Sequence, residues 1–187
     1  NAAGTKMYIT VSSDDSVKQY SLTTAWDVST ATYDSVTLDV SSQDTSPVGL
    51  TFDEDGTDLF VMGFANDTVF QYTLTTPFDL NTASYASKSV SVTSQENQPY
   101  GLAFSESGYK MFVAGETNGT VYQYDLTSAY DVSTATYASV SYSVSSEDAI
   151  PVALAFDTYG KRMYVTGATN DTVYQYSTGT EALKLET

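Results

Sequence analysis

Short apolar runs alternate with polar turns along the whole chain. Val48–Phe52 is an apolar run, Asp53–Asp58 a turn around Gly56, and Leu59–Gly63 a second run. Asn66-Asp67 follows as a two-residue turn, and Val69–Leu74 is a third run. A polar linker, Thr75–Ser87, then leads to Lys88–Ser94, where valine alternates with serine. Apolar residues on both faces suit strands covered on both sides, whereas strict alternation suits a strand with one wet face. No window of eleven residues carries a helical apolar stripe. The pattern therefore predicts four antiparallel strands, the fourth outermost.

The same pattern returns down the chain. Gly49–Leu74 recurs almost in register at Gly101–Leu126 and again at Ala153–Tyr176, and Gly4, Gly56, Gly108 and Gly160 stand 52 residues apart. A period near 50 with four short strands per unit defines a β-propeller blade, a small sheet that must stack on its neighbours to bury both faces. The expected fold is all-β, one propeller domain over 1–187 with about four 52-residue, four-stranded blades: 1–48, 49–100, 101–152 and 153–187.

The end units are incomplete. Asn1–Val11 aligns with Asp157–Gly167, so the first unit starts at its second strand; it continues with a strand at Val17–Leu22, a linker at Ala25–Tyr33 and an outer strand at Val36–Ser42. The fourth has strands at Val152–Phe156, Met163–Gly167 and Val173–Tyr176, after which Ser177–Glu181 replaces the long linker. Ala182–Thr187, ALKLET, aligns with Ala153–Thr158, ALAFDT. The C-terminal strand is thus expected to complete the first blade. Done within one chain, this closes a four-bladed ring; donated to a neighbour, it gives a larger ring or a head-to-tail fibre. Alternatively, the sequence is a window on a longer array. The chain opens on Asn1 rather than methionine, as a mature or trimmed product would.

Composition narrows the function. Serine, threonine and 16 tyrosines suit strands. There is no cysteine, so disulfides and thiolate metal sites are excluded. The formal charge of −16, from 23 acids against seven bases, is spread over every repeat. Such a coat repels phosphate backbones and anionic headgroups, so nucleic acid is not an expected partner; its ordinary use is solubility, with salt adaptation or divalent-cation binding as other uses. No apolar run approaches a membrane span, and membrane insertion is not expected. Histidine is absent, which removes the usual general base and the commonest transition-metal ligand. The six lysines and Arg162 show no repeated pairing with a Gly-flanked serine that would replace it. Asp53 with Asp55 resembles half a calcium loop, but Ser105 and Ser107, then Asp157 and Tyr159, take those places, which favours turn chemistry.

Loops from each outer strand into the next inner strand carry Gln43, Asp44, Glu96, Asn97, Glu147 and Asp148. In a propeller these gather on one face around the axis, as a possible ligand face for a cation, Ca²⁺ foremost, or for sugar hydroxyls; the competing reading is solvated loop polarity. Asn66-Asp-Thr68, Asn118-Gly-Thr120 and Asn170-Asp-Thr172 suit type I′ turns and also fit the N-glycosylation acceptor pattern, making Asn66, Asn118 and Asn170 candidate glycan sites. Gln19, Gln71, Gln123 and Gln175 recur beside tyrosines in the third strand, as buried amides bridging blades would. Trp26, Phe78 and Tyr130 precede Asp27, Asp79 and Asp131, either to pin the linker to the blade or to offer a sugar-stacking platform with Tyr33, Tyr85 and Tyr137.

FDEDGTDLFV, FSESGYKMFV and FDTYGKRMYV resemble the first turn of many propellers, F-S-x-D-G-x-x-L-Y-V, and MYVTGATNDTVYQYS resembles the YVTN-type repeat of lactonase-like propellers in surface and secreted microbial proteins. The likeness covers every repeat, but its motifs specify blade geometry. It implies an extracellular or cell-surface protein, and a binding or structural module more often than an enzyme. Lactone hydrolysis in that superfamily needs catalytic or metal-binding side chains at the axis, and no such constellation can be matched here. The resulting expectation is a non-enzymatic structural or adhesive surface or fibre module, without cofactors, whose partners are itself and glycans. The alternatives are a carbohydrate- or calcium-binding recognition domain using the loop face, and a lactonase-like hydrolase.

Overall fold

The computed structural model describes residues 1–179 and the backbone of 184–185. Four sheets follow one another along the chain. The first has β1 (Lys6–Val11), β2 (Ser16–Leu22) and β3 (Ala31–Asp39); the second has β4 (Pro47–Phe52), β5 (Asp58–Gly63), β6 (Thr68–Leu74) and β7 (Ala83–Ser91). The third has β8 (Pro99–Phe104), β9 (Lys110–Gly115), β10 (Thr120–Leu126) and β11 (Ala135–Ser143). The fourth has β12 (Pro151–Phe156), β13 (Arg162–Gly167), β14 (Thr172–Ser177) and the two-residue β15 (Lys184–Leu185). Every pairing is between chain neighbours and antiparallel. The all-β propeller-type blade array expected from the period is what the chain forms.

A core lies between each pair of sheets. Val17 packs with Val61 and Leu80 between the first two, Val69 with Val113 and Val132 between the next two, and Val121 with Val165 and Met163 between the last two. Each such residue contributes about 1.5–3 kcal/mol by leaving water, so stability resides in the interfaces between blades.

Local chemistry fixes each blade. Asp53 accepts from the Asp58 amide at 2.9 Å and from the Thr57 hydroxyl at 2.9 Å, which closes the first turn. Linkers end in single 3₁₀ turns, Val28–Thr30, Leu80–Thr82 and Val132–Thr134, each capped by the preceding aspartate. The aromatic before that aspartate has positive φ, 64° at Trp26, 60° at Phe78 and 57° at Tyr130, and its amide bonds the carbonyl of Gly4, Gly56 or Gly108. Its ring lies over that glycine, where a Cβ would meet it at 2.3–2.4 Å. The linker is therefore pinned to its own blade by a ring on a bare backbone.

Three local expectations change. The outer strand of the second blade begins at Ala83 rather than Lys88, because a bulge at Ser87, φ 59°, lets Tyr85 pair with Tyr72 ahead of the alternating stretch. The hairpin between β5 and β6 is a four-residue loop, 64–67, since Gly63 pairs with Thr68 and positive φ occurs at Asp67 and not at Asn66. Lastly, Lys184–Leu185 pairs with Tyr176 and Ser177 as the outermost strand of the fourth sheet, rather than completing the first. A strand that folds back on the one just before it closes a short loop, at lower entropic cost than a return to the start of the chain. Thr180–Leu183, Glu186 and Thr187 lie outside the described residues. Among the described residues β1 has no partner on its inner edge.

Candidate functional site

The acids of the axial loops are engaged in the fold. Asp44, Glu96 and Asp148 are 2, 0 and 1 % exposed. Asp44 accepts from the amides of Ser46 at 2.7 Å, Ala65 at 3.2 Å and Asn66 at 2.8 Å; Asp148 accepts from Ile150, Thr169 and Asn170 in the same way. Burial opposes the Asp148 charge, but these amides more than compensate and hold its carboxyl below the usual range. Glu96 takes the amides of Gln98 and Thr117 on one oxygen, which also bonds the Thr117 hydroxyl, while its other oxygen is buried without a partner. Each carboxylate sits against a glycine of the next blade: a Cβ on Gly63, Gly115 or Gly167 would lie within 2.6 Å of it. These acids staple the loop to the β5–β6-type hairpin.

The remaining members of that set surround the staple. Gln43 accepts from the Tyr72 hydroxyl at 3.0 Å and Glu147 from Tyr176 at 3.4 Å, while Asn97 bonds the Thr117 hydroxyl. Burial first, then nearby charges, push the Tyr72 and Tyr176 hydroxyls upward, so they stay protonated donors. Asn66, Asn118 and Asn170 are all exposed; Asn66 and Asn170 donate to the carbonyls of Gln43 and Glu147, and Asn118 to the Tyr122 hydroxyl. Among the described residues no three His, Cys, Asp or Glu side chains cluster as a metal site would require.

Blade-bridging glutamines point to the open space. Gln19 accepts from the Leu80 amide at 2.9 Å and Gln71 from Val132 at 3.2 Å, so the linker of each blade seats on the blade before it. Asp131 also pairs with Lys88 across that interface at 2.8 Å. No such linker is described after the fourth blade. Gln123 turns to Asp125 at 3.0 Å, Val140 is 46 % exposed where Val36 is 9 %, and nothing lies within 4 Å of a Cβ on Gly160.

A groove of about 1050 Å³ opens there between the third and fourth blades and reaches the second blade at Leu50, Phe52 and Glu54. Phe104, Phe156 and Tyr130 give it aromatic walls, Gln123 an amide, and Glu54 and Glu106 carboxylates from two successive first turns. Neither carboxylate is committed to a hydrogen bond among the described residues, in contrast to the axial acids. The Tyr130 hydroxyl donates to the Glu106 carbonyl at 2.8 Å, and burial, then the charges of Asp53 and Glu54, keep it protonated. Lys110, the one cation among the described lining residues, pairs with Asp125 at 2.8 Å. The sequence carried the signal for this groove in the short Ser177–Glu181 segment that stands where a linker should be.

No protein-family model and no curated protein sequence matches the chain. Solved structures do match in fold. A putative 6-phosphogluconolactonase from Bacteroides fragilis aligns over 98 % of this chain and 50 % of its own, with 12 % identity and a TM-score of 0.66. One from Bacteroides uniformis aligns over 98 % and 53 % at 14 % identity and 0.63, and the periplasmic gluconolactonase of Pseudomonas aeruginosa over 98 % and 50 % at 14 % and 0.63. The chain spans about half the length of these structures. It shares their propeller fold. The expectation of a non-enzymatic structural or adhesive module, with a recognition domain as its alternative, is corrected by these likenesses: it rested on motifs that specify only blade geometry and on the lack of a matched catalytic constellation, whereas proteins named as lactonases carry this fold over nearly all of this chain. No helix among the described residues is long and apolar enough to cross a membrane.

Proposed function

We propose that this chain supplies four blades of a lactonase-type hydrolase of the YVTN-like propeller class, acting outside the cytoplasm on an uncharged sugar lactone. The carrying observation is the fold shared with a periplasmic gluconolactonase and putative 6-phosphogluconolactonases over 98 % of the chain. The groove between the third and fourth blades supports the reading by its size and lining, since aromatic walls with a few convergent polar groups suit a sugar ring. Charge selects the substrate. A chain of −16 whose groove cation is already paired repels a phosphorylated lactone more than a neutral one.

The chemistry is an ester hydrolysis. A water oxygen bonds to the lactone carbonyl carbon, the endocyclic C–O bond breaks, and the ring oxygen leaves as a hydroxyl, giving the open-chain acid. Glu106 or Glu54 takes the water proton, the role that histidine would otherwise hold, and returns it to the departing ring oxygen; the open-chain acid then ionises, which is the proton released to solvent. The Gln123 amide, which keeps a second N–H beyond its bond to Asp125, lies in the same groove to face the carbonyl oxygen as charge develops on it.

Proton release from glucono-δ-lactone and from its 6-phosphate, corrected for spontaneous opening, tests this. Expected are a protein-dependent rate that EDTA leaves intact, at least a tenfold preference for the neutral lactone, and a fall of roughly 10²-fold or more in Glu106→Gln or Glu54→Gln. A rate equal to the spontaneous one at high protein concentration would refute the assignment.

A further inference from the structure

The two end faces of the blade array are the halves of an interface the chain already uses three times. Across each internal interface one valine from the third-strand position of a blade meets one from the second-strand position of the next: Val17 with Val61, Val69 with Val113, Val121 with Val165. All six are at most 2 % exposed. At the ends the same two positions are bare. Val173, the counterpart of Val17, Val69 and Val121, is 63 % exposed, and Ile9, the counterpart of Val61, Val113 and Val165, is 37 % exposed.

The linkers repeat this asymmetry. Leu80 and Val132 are 2 and 0 % exposed because each seats on the preceding blade, whereas Val28, at the same position in the first blade, is 71 % exposed. Trp26 beside it is 73 % exposed. Apolar side chains so exposed at positions the fold otherwise buries mark an interface rather than a solvent face. The missing surface on each end has the shape and chemistry of the other end.

We propose that a second copy of this chain covers both faces, the first blade of each copy stacking on the fourth blade of the other to close a two-chain ring. Ile9 then meets Val173 as a fourth version of the valine pair, and the Val28 linker lies over the fourth blade as Leu80 lies over the first. The contact is continuous with the intrachain interface, so it needs no new recognition chemistry. Two chains of −16 repel each other, and salt therefore favours the ring.

Native mass tests the proposal with the 187-residue chain itself. The intact protein is expected at twice 20.2 kDa, more completely in 0.5 M than in 0.05 M NaCl. Val28→Asp and Val173→Asp each replace a side chain that is already exposed in the single chain, so both fold, with unchanged circular dichroism, but each raises the dissociation constant by roughly 100-fold or more by burying a carboxylate. Mixing the two variants restores the double mass where each alone is single, because only the mixed pair has one interface free of substitutions. A single mass at high concentration and high salt, an open ladder of masses, a variant that keeps the double mass, or a mixture that stays single would each overturn the two-chain ring.

Discussion

Alanine at Gly108 and at Gly160 separates backbone strain from the work of the ring that covers the turn. Both glycines occupy the same repeat position with positive φ, 71° and 62°. Alanine in that conformation costs about 1–2 kcal/mol at either site. At Gly160 nothing else is met, since no atom lies within 4 Å of the new Cβ. At Gly108 the Cβ would fall 2.4 Å from Tyr130 Cδ2, so the ring must leave. With it go the hydroxyl bond to the Glu106 carbonyl, about 1 kcal/mol, and contacts with Phe104 and Phe60 at centroid distances of 5.6 and 6.1 Å, about 0.5–1.5 kcal/mol.

Gly108→Ala should therefore cost about 2.5–4.5 kcal/mol and Gly160→Ala about 1–2. For a chain of this length the difference of about 1.5–2.5 kcal/mol corresponds to roughly 3–10 °C in melting temperature. Urea titrations followed by tyrosine circular dichroism in dilute, low-salt buffer read the single chain. A double-mutant cycle sharpens the result: in a Tyr130→Ala background, Gly108→Ala should cost no more than Gly160→Ala does. Equal losses at Gly108 and Gly160 in the parent background would refute the pinning role of the ring.

Glu96→Asp should be neutral or stabilise by about 1 kcal/mol in the same titration, because Asp44 and Asp148 show that the shorter acid serves three amides at this position with no orphaned oxygen. A loss above 2 kcal/mol would show that the glutamate length is needed. Asp34 gives a pH signature: burial would raise its carboxyl, but bonds from Lys6, Ser21 and Gln19 bring it down to about 2. Its stabilisation is complete above the unfolded value of about 3.9 and is lost as pH falls toward 2, so Asp34→Asn should cost about 1–2 kcal/mol at pH 7 and almost nothing at pH 2. A pH-independent difference would contradict the linkage.

Much of the fold is legible because the 52-residue period carries through the four units, and each apolar run keeps the same buried face. What was misjudged depends on contacts that the pattern along the chain does not carry. Lys88 looks like the start of a strand because the alternating stretch begins there, yet Tyr85 already pairs with Tyr72 through a bulge that polarity does not reveal. Asn66-Asp67 looks like a two-residue hairpin, but Asp44 of the preceding loop draws the Ala65 and Asn66 amides inward and lengthens the turn. Asp44, Glu96 and Asp148 look like ligands because an acid in a loop has the same letter whether it faces water or three amides. The distinguishing signal is Gly63, Gly115 and Gly167, always 19 residues later, where the neighbouring backbone must leave room for the carboxylate.

The groove and the bare face at Val173 lie on opposite sides of the fourth blade. Where a linker follows, it fills the space above the previous blade, covers the outer-strand residue and occupies the glutamine, as at Val36 and Gln19. Beyond the fourth blade the repeat gives way, and the third blade keeps an open amide-and-aromatic wall. On the far side, Val173 pairs in register with Thr166, on the side of the sheet away from Val165 and the core shared with the third blade. A second copy that covers Val173 therefore leaves the groove unobstructed. The two proposals fail independently: a monomeric Val173→Asp chain that still opens lactones separates catalysis from ring closure, whereas a dimer without turnover leaves the ring and removes the hydrolase.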